Sequence, residues 1–225
     1  PKVTEITSVG GGSINRCYEI RLASGQHLFC KTHASLSGFA SSTPGMYVVE
    51  KYALEKLAET NTIRVPKPLF ANEHCLMLEF FESYSDSRSA REDTHLDSQE
   101  VLGRQLATLH QSTKQQRFGF DRDNYIGSTP QTNTWRDDWV SFWRDCRLGF
   151  QIDLLRQSYS AQDPILVAAD RLRDNLIDYL QPNPEPAVLL HGDLWFGNID
   201  TMSNGQPIIF DPASYFGPRE AEFGC

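Results

Sequence analysis

The stretch His191-Gly192-Asp193-Leu194-Trp195-Phe196-Gly197-Asn198 places an aspartate five residues ahead of an asparagine, and a second aspartate, Asp211, follows thirteen residues after that. Phosphoryl transfer to an alcohol needs these residue types in this order. One carboxylate accepts the proton of the attacking hydroxyl, while an amide oxygen and a second carboxylate hold Mg²⁺ against the phosphates of a nucleotide such as ATP. Asp193 is therefore the candidate base, and Asn198 and Asp211 are the candidate Mg²⁺ ligands. Any one of them alone reads as a turn former satisfying its own backbone; the ordered set does not. Pro212 disfavours a helical Asp211, so an extended conformation is expected there, with the side chain off the sheet edge.

The other parts of a nucleotide site lie upstream. Gly10-Gly11-Gly12-Ser13-Ile14-Asn15 falls between two predicted strands, where the amides of Gly11, Gly12 and Ser13 are placed to approach phosphates closely. On this stretch alone a flexible hairpin turn is an equal reading. A dinucleotide fold needs a helix to begin at the glycines, but Cys17-Tyr18-Glu19-Ile20 reads as a strand, and no G-x-x-x-x-G-K-[ST] occurs. Lys31, in Phe29-Cys30-Lys31-Thr32, is the cation expected for the α and β phosphates. Met46, Val49, Ala53, Leu54 and Leu57 form the stripe of an amphipathic helix of about four turns. Glu50 lies at the edge of that face, aimed inward to pair with Lys31, whereas Glu55 follows Lys51 by one turn on the wet side. The helix is expected to stop before Val65-Pro66-Lys67-Pro68. Leu76 to Phe81 reads as an apolar strand whose Glu79 and Phe81 would present main-chain groups to an adenine.

Strands are expected at Glu5 to Val9, Cys17 to Leu22 and His27 to Thr32, and the polar run Ser83 to Ser98 lacks periodicity and reads as a connection. Helices then follow, with Leu102, Leu106 and Leu109 on one face, with Trp139, Phe142, Trp143 and Phe150 on another, and with Leu166, Ala169, Leu172, Leu176 and Leu180 inward from Ile165 to Leu180. Short strands at Val188 to Leu190 and Ile208 to Phe210 flank the catalytic loop. The 225 residues carry 21 Lys plus Arg against 29 Asp plus Glu, a net charge of −8. Partners bound through phosphate backbones or anionic membrane surfaces are therefore not expected. The longest aliphatic run, Ile165 to Ala169, is too short to cross a bilayer. The five cysteines fit neither a disulfide framework nor a zinc site. A soluble, cytoplasmic protein with reduced thiols is expected; its oligomeric state is not encoded in any motif.

The loop has the H-x-D-x-x-x-x-N then D order of protein-kinase-like phosphotransferases. H-G-D-L-W-x-G-N followed by I-x-F-D-P-A-S resembles, more narrowly, the fructosamine kinase (ketosamine 3-kinase) family. Further pieces agree in order: G-G-G-S-I-N, F-C-K-T, E-x-x-x-L-x-x-L with R-V-P-K-P after it, L-x-x-L-H ending at His110, and the run from Phe118 to Trp139. Trp195, Pro212-Ala213-Ser214 and Pro130-Gln131 with Asn133 and Trp135 separate this family from other kinases that share only the loop and the later aspartate. The resemblance implies an α+β, protein-kinase-like fold of two lobes: residues 1–81 as a small antiparallel-sheet lobe that binds ATP, and residues 82–225 as a mainly helical catalytic and acceptor lobe. It implies phosphorylation of the sugar 3-hydroxyl of a ketosamine, small or carried on a glycated protein lysine, with breakdown of the 3-phosphate freeing the amine. Trp195 and His191 become the substrate-side candidates, Trp195 by stacking on the sugar or else as a buried structural residue. Asn124 to Asn133 either lines the acceptor pocket or caps the Trp139 helix. The scaffold also hosts kinases of other small hydroxylated amines, such as aminoglycosides and choline, and a catalytically silent scaffold is the reading from a different class. The resemblance implies further helices beyond D-P-A-S that help wall the acceptor site, so either more chain is expected outside Pro1 to Cys225 or the acceptor pocket of this form is incomplete.

Overall fold

The computed structural model describes residues 1–10, 15–33, 45–83, 92–180 and 185–224. Gly11, Gly12 and Ser13 lie outside the described residues.

The N-terminal lobe is a five-stranded antiparallel sheet. Its strands are β1 (Val3–Val9), β2 (Asn15–Leu22), β3 (His27–His33), β4 (Pro68–Ala71) and β5 (Cys75–Glu79), in the order β1-β2-β3-β5-β4. Register places Cys17 and Leu76 on either side of Lys31, and opposite residues in a ladder share a face. Lys31 thus points to the same side as the buried Cys17 and Leu76. That side is covered by α1 (Met46–Glu59), which buries Tyr47, Ala53, Leu54 and Leu57. Helix α1 stops at Thr60 and Asn61, where Asn61 takes φ 54°, several residues earlier than the prolines required. Asparagine tolerates this left-handed conformation, which ends the helix.

The second lobe begins with α2 (Glu92–Ser112) and the hairpin β6 (Asn124–Ile126) and β7 (Thr129–Gln131). A helical rod follows, α3 (Trp139–Trp143) and α4 (Gly149–Leu155) joined by a π turn over Arg144–Leu148. Next come α5 (Pro164–Asp174) and α6 (Leu176–Tyr179), then β8 (Val188–Leu190), β9 (Ile199–Thr201), β10 (Pro207–Ile209) and β11 (Tyr215–Gly217). β8 pairs with β11 and β9 with β10, so two small ladders hold the ends of the loop from His191 to Asn198. One core runs through both lobes, from Tyr47 and Leu54 through Leu109 and Phe142 to Leu190 and Ile209. The Ile209 amide donates to the Arg64 carbonyl at 3.0 Å, tying the lobes together beside the cleft.

Two expected elements differ. Residues 92–98, read as aperiodic connection, are the first turns of α2, because a helix propagates into polar sequence once a buried stripe has nucleated it. The single helix from Ile165 to Leu180 is two helices broken at Asn175; Leu166 and Leu176 are buried, but Leu172 is exposed.

Candidate active site

The Asp193 loop is shaped by main-chain contacts. Gly192 has φ +84°, and a Cβ there would stand 2.3 Å from the Ala213 carbonyl oxygen, so only glycine fits. The Ala213 amide donates to the His191 carbonyl at 2.9 Å. Asn198 is buried, and its Nδ2 donates to the Asp193 carbonyl at 2.8 Å and to Asp193 Oδ2 at 3.1 Å. The asparagine's amide nitrogen is thereby committed to the loop, which leaves its oxygen as the available donor atom. Burial lifts the Asp193 carboxyl above the ordinary aspartate range, with the Asn198 bond among the contacts opposing it.

His191 is fully buried and absent from the cleft wall. Its Nε2 donates to the Phe210 carbonyl at 2.9 Å, and its Nδ1 accepts from the Asp193 amide at 3.3 Å. Both ring nitrogens are engaged, so neither faces the cleft as the substrate contact expected of His191 would require. Burial pushes its imidazole below the ordinary value.

Sequence reasoning missed Glu222. This buried carboxylate accepts the His191 amide at 2.7 Å and the Gly192 amide at 3.0 Å, and His110 Nε2 stands 3.5 Å from it. Burial pushes the carboxyl up, but His110, His191 and the two loop amides outweigh it and hold it below the ordinary glutamate value. The L-x-x-L-H motif contained His110, yet nothing in the sequence linked it to a glutamate more than a hundred positions away.

Across the cleft, Lys31 is buried and its Nζ donates to Glu50 Oε1 at 2.7 Å and to Asp211 Oδ1 at 2.6 Å. Burial would lower this ammonium, but the two carboxylates outweigh it and hold it above the ordinary lysine value. The Lys31–Glu50 pair is thus present, as is the surface pair Lys51–Glu55. Asp211 is not extended: its φ is 61°. Aspartate tolerates this region, and here the turn brings its carboxylate onto Lys31, in the kind of strained backbone that clusters at functional sites.

Lys31, Glu50, Glu79, Phe81, Asp193, Trp195, Asn198 and Asp211 all line one cavity of about 700 Å³. The Glu79 amide donates to the Lys67 carbonyl at 2.9 Å, so that N–H is already engaged, while the Phe81 ring packs on Phe210 at 5.9 Å. Trp195 is 44% exposed, not a buried structural residue, and meets Phe196 edge to face at 4.7 Å. Asn124, Tyr125 and Gly127 add the β6–β7 hairpin to the wall. Asn124 Nδ2 donates to the Ser214 carbonyl at 2.8 Å, and Gln131 Nε2 to Asn124 Oδ1 at 3.0 Å, fixing the hairpin on the D-P-A-S segment. The cap of α3 is instead Asp138, which accepts the Ser141 amide at 2.8 Å.

A family model described as Fructosamine kinase matches residues 1–225. The chain belongs to the fructosamine kinase family. Among its relatives, the protein-ribulosamine 3-kinase, chloroplastic, of Oryza sativa subsp. japonica is 39% identical over 231 residues, covering 99% of this chain and 62% of that protein. The Arabidopsis thaliana protein of the same name is 39% identical over 229 residues, covering 99% and 65%. The chain therefore spans less than two thirds of the length of these relatives. The crystal structure assigned as a fructosamine-3-kinase from Thermobifida fusca superposes with a TM-score of 0.75 at 27% identity, over 98% of this chain and 72% of that one. A streptomycin-ATP-APH(2")-IIa ternary complex shares the fold, with a TM-score of 0.56 at 14% identity over 99% and 70%. The fold is thus the α+β, protein-kinase-like architecture of this family and of the aminoglycoside phosphotransferases. Among the described residues no helix is long and apolar enough to cross a membrane.

Proposed function

We propose that this chain carries the nucleotide site and catalytic loop of an ATP-dependent ketosamine 3-kinase, with the lobes dividing near Phe81. The observation that carries the reading is the convergence of Asp193, Asn198, Asp211 and the Lys31–Glu50 pair on one cleft. The names of the plant relatives, protein-ribulosamine 3-kinases, support the ketosamine as acceptor.

Asp193 accepts the proton of the sugar 3-hydroxyl as that oxygen bonds to the γ-phosphorus and ADP leaves. Its raised carboxyl suits a base in a half-buried site. Lys31, clamped by Glu50, is the cation for the α and β phosphates. The Asn198 amide oxygen and the Asp211 carboxylate are hard oxygen donors of the kind Mg²⁺ takes together with nucleotide phosphates, so these residues fit the ion and would hold it. Bound there, Mg²⁺ supplies charge neutralisation at the transferring phosphates. Trp195 offers an exposed ring beside the base for the sugar. The acceptor is a ketosamine, free or on a protein lysine, whose 3-phosphate then breaks down and frees the amine, in an aqueous compartment such as the cytoplasm.

The test is ADP release from Mg-ATP with ribuloselysine or fructoselysine, in wild type and in Asp193→Asn, each carried on the chain extended to its natural ends. Acceptor-dependent turnover that the substitution abolishes is the expected result. Nucleotide binding with no turnover on either acceptor overturns the ketosamine assignment.

A further inference from the structure

Tyr47 is fully buried, yet it carries a hydroxyl into the core. A buried hydroxyl without a partner is costly, so its partner is informative. The Tyr47 hydroxyl donates to Asn15 Oδ1 at 2.9 Å. Asn15 is the first residue of β2 and lines the cleft. In the ladder it stands opposite His33, whose ring lies 4.9 Å from the Tyr47 ring. The start of β2 is thus held from below by a helix rather than by the sheet alone.

The helix position matters as much as the bond. Tyr47 precedes Glu50 by three residues, so both side chains leave the same face of α1. One turn of this helix therefore holds two parts of the cleft, the strand end at Asn15 and the cation Lys31, which Glu50 binds at 2.7 Å. The same helix is anchored to the opposite lobe through Tyr52. Its hydroxyl donates to Asp121 Oδ2 at 2.9 Å, its ring faces the Arg122 guanidinium at 4.3 Å, and Phe120 meets it at 5.7 Å.

Resting on the kinase reading above, we infer that Tyr47 is a positioning residue of the nucleotide site, acting through Asn15 to set where β2 enters the cleft relative to Lys31. Helix α1 then acts as a coupler. It fixes the β2 entry and the phosphate cation at one spacing, so that the nucleotide meets both already in place.

The test is a double-mutant cycle on Mg-ATP affinity, measured by calorimetry without acceptor, in wild type, Tyr47→Phe, Asn15→Ala and the double variant. Each single change is expected to weaken binding about five- to tenfold, the loss of one hydrogen bond's worth of preorganisation. The double variant should be no weaker than the worse single, because the two act through one bond. In turnover, the loss should appear in KM for ATP and leave KM for the acceptor within about twofold, a split that lowered stability alone does not produce. Factors that multiply in the double variant, or an unchanged affinity in either single variant, overturn the inference. Should Tyr47→Phe fail to fold, Asn15→Ala, at the cleft end of the bond, decides by the same criterion. Wild type that binds no Mg-ATP overturns the kinase reading and this inference with it, whereas wild-type binding with unaltered variants overturns this inference alone.

Discussion

Lys31 and Asp211, 180 positions apart, meet at 2.6 Å, and the same ammonium holds Glu50 at 2.7 Å. A strand of one lobe and the Asp211 segment of the other are thus joined through a single buried cation. Removing it leaves the nearly buried Glu50 carboxylate without its partner, and breaking a buried pair from one side costs about 3–5 kcal/mol. Lys31→Met is expected to lower unfolding stability by about 3 kcal/mol and to abolish turnover. Adding Glu50→Gln should recover much of the stability and none of the activity. Chemical denaturation alongside ADP release checks both halves, and a double variant as unstable as Lys31→Met would show that the uncompensated carboxylate is not the cause.

Glu222 joins the loop that carries Asp193 to the end of the described chain, accepting two consecutive amides, at His191 and Gly192. In Glu222→Gln the side chain turns one acceptor into a donor facing an N–H, and the loop loses a charge-assisted bond. The expected outcome is a loss of about tenfold or more in kcat, since Asp193 is the next residue, with Mg-ATP affinity little changed because Lys31 and Glu50 are untouched. Steady-state kinetics paired with nucleotide titration separates the two, and equal losses in both would point to general unfolding.

Acid should weaken the fold in two stages. Burial holds His191 below the ordinary imidazole value, although Glu222, Asp193 and Asp211 favour its charged form. The unfolded chain therefore takes up that proton first, and stability falls as pH drops from the ordinary histidine range toward the lowered native value. Glu222 is also depressed in the native state. Its contribution is present above the ordinary glutamate range and is lost as pH falls through its native value. Unfolding free energy measured downward from pH 7 should decline through the histidine range, and His191→Gln should flatten that decline. A stability that rises on acidification through the histidine range would contradict the assignment.

The side chains that meet in the cleft are more legible in the sequence than the scaffolding that holds them. Lys31, Glu50, Asp193, Asn198 and Asp211 were readable because each sits at a fixed offset from a local pattern, an alternating strand, a helix stripe or a loop spacing. Glu222 was not, because its partners His110, His191 and Gly192 come together only through tertiary packing. Asp211 lines the cleft but with a left-handed rather than extended backbone: the rule for residues before proline is local, and here the chain turns Asp211 onto a buried cation from the other lobe. β9 and β11 have three residues each, too few for alternation to register. The start of α2 went unread because its first turns are polar, and only the later Leu102, Leu106 and Leu109 announce a helix.

Gly197 gives a way to move Trp195 without deleting it. A Cβ at Gly197 would stand 2.3 Å from the Trp195 ring, closer than any real contact. The ring is 44% exposed, so it can swing away rather than unfold the loop. Gly197→Ala is therefore expected to keep its fold and its Mg-ATP affinity while raising KM for the ketosamine about five- to tenfold, the scale of one lost stacking contact. Trp195→Ala should raise it at least as much. The Gly197→Ala change added to Trp195→Ala should do nothing further, since the ring it displaces is already gone. Acceptor KM measured across the three variants decides the matter, and a full additional loss in the double variant would mean that Gly197 acts through the neighbouring Asn198 rather than through the tryptophan.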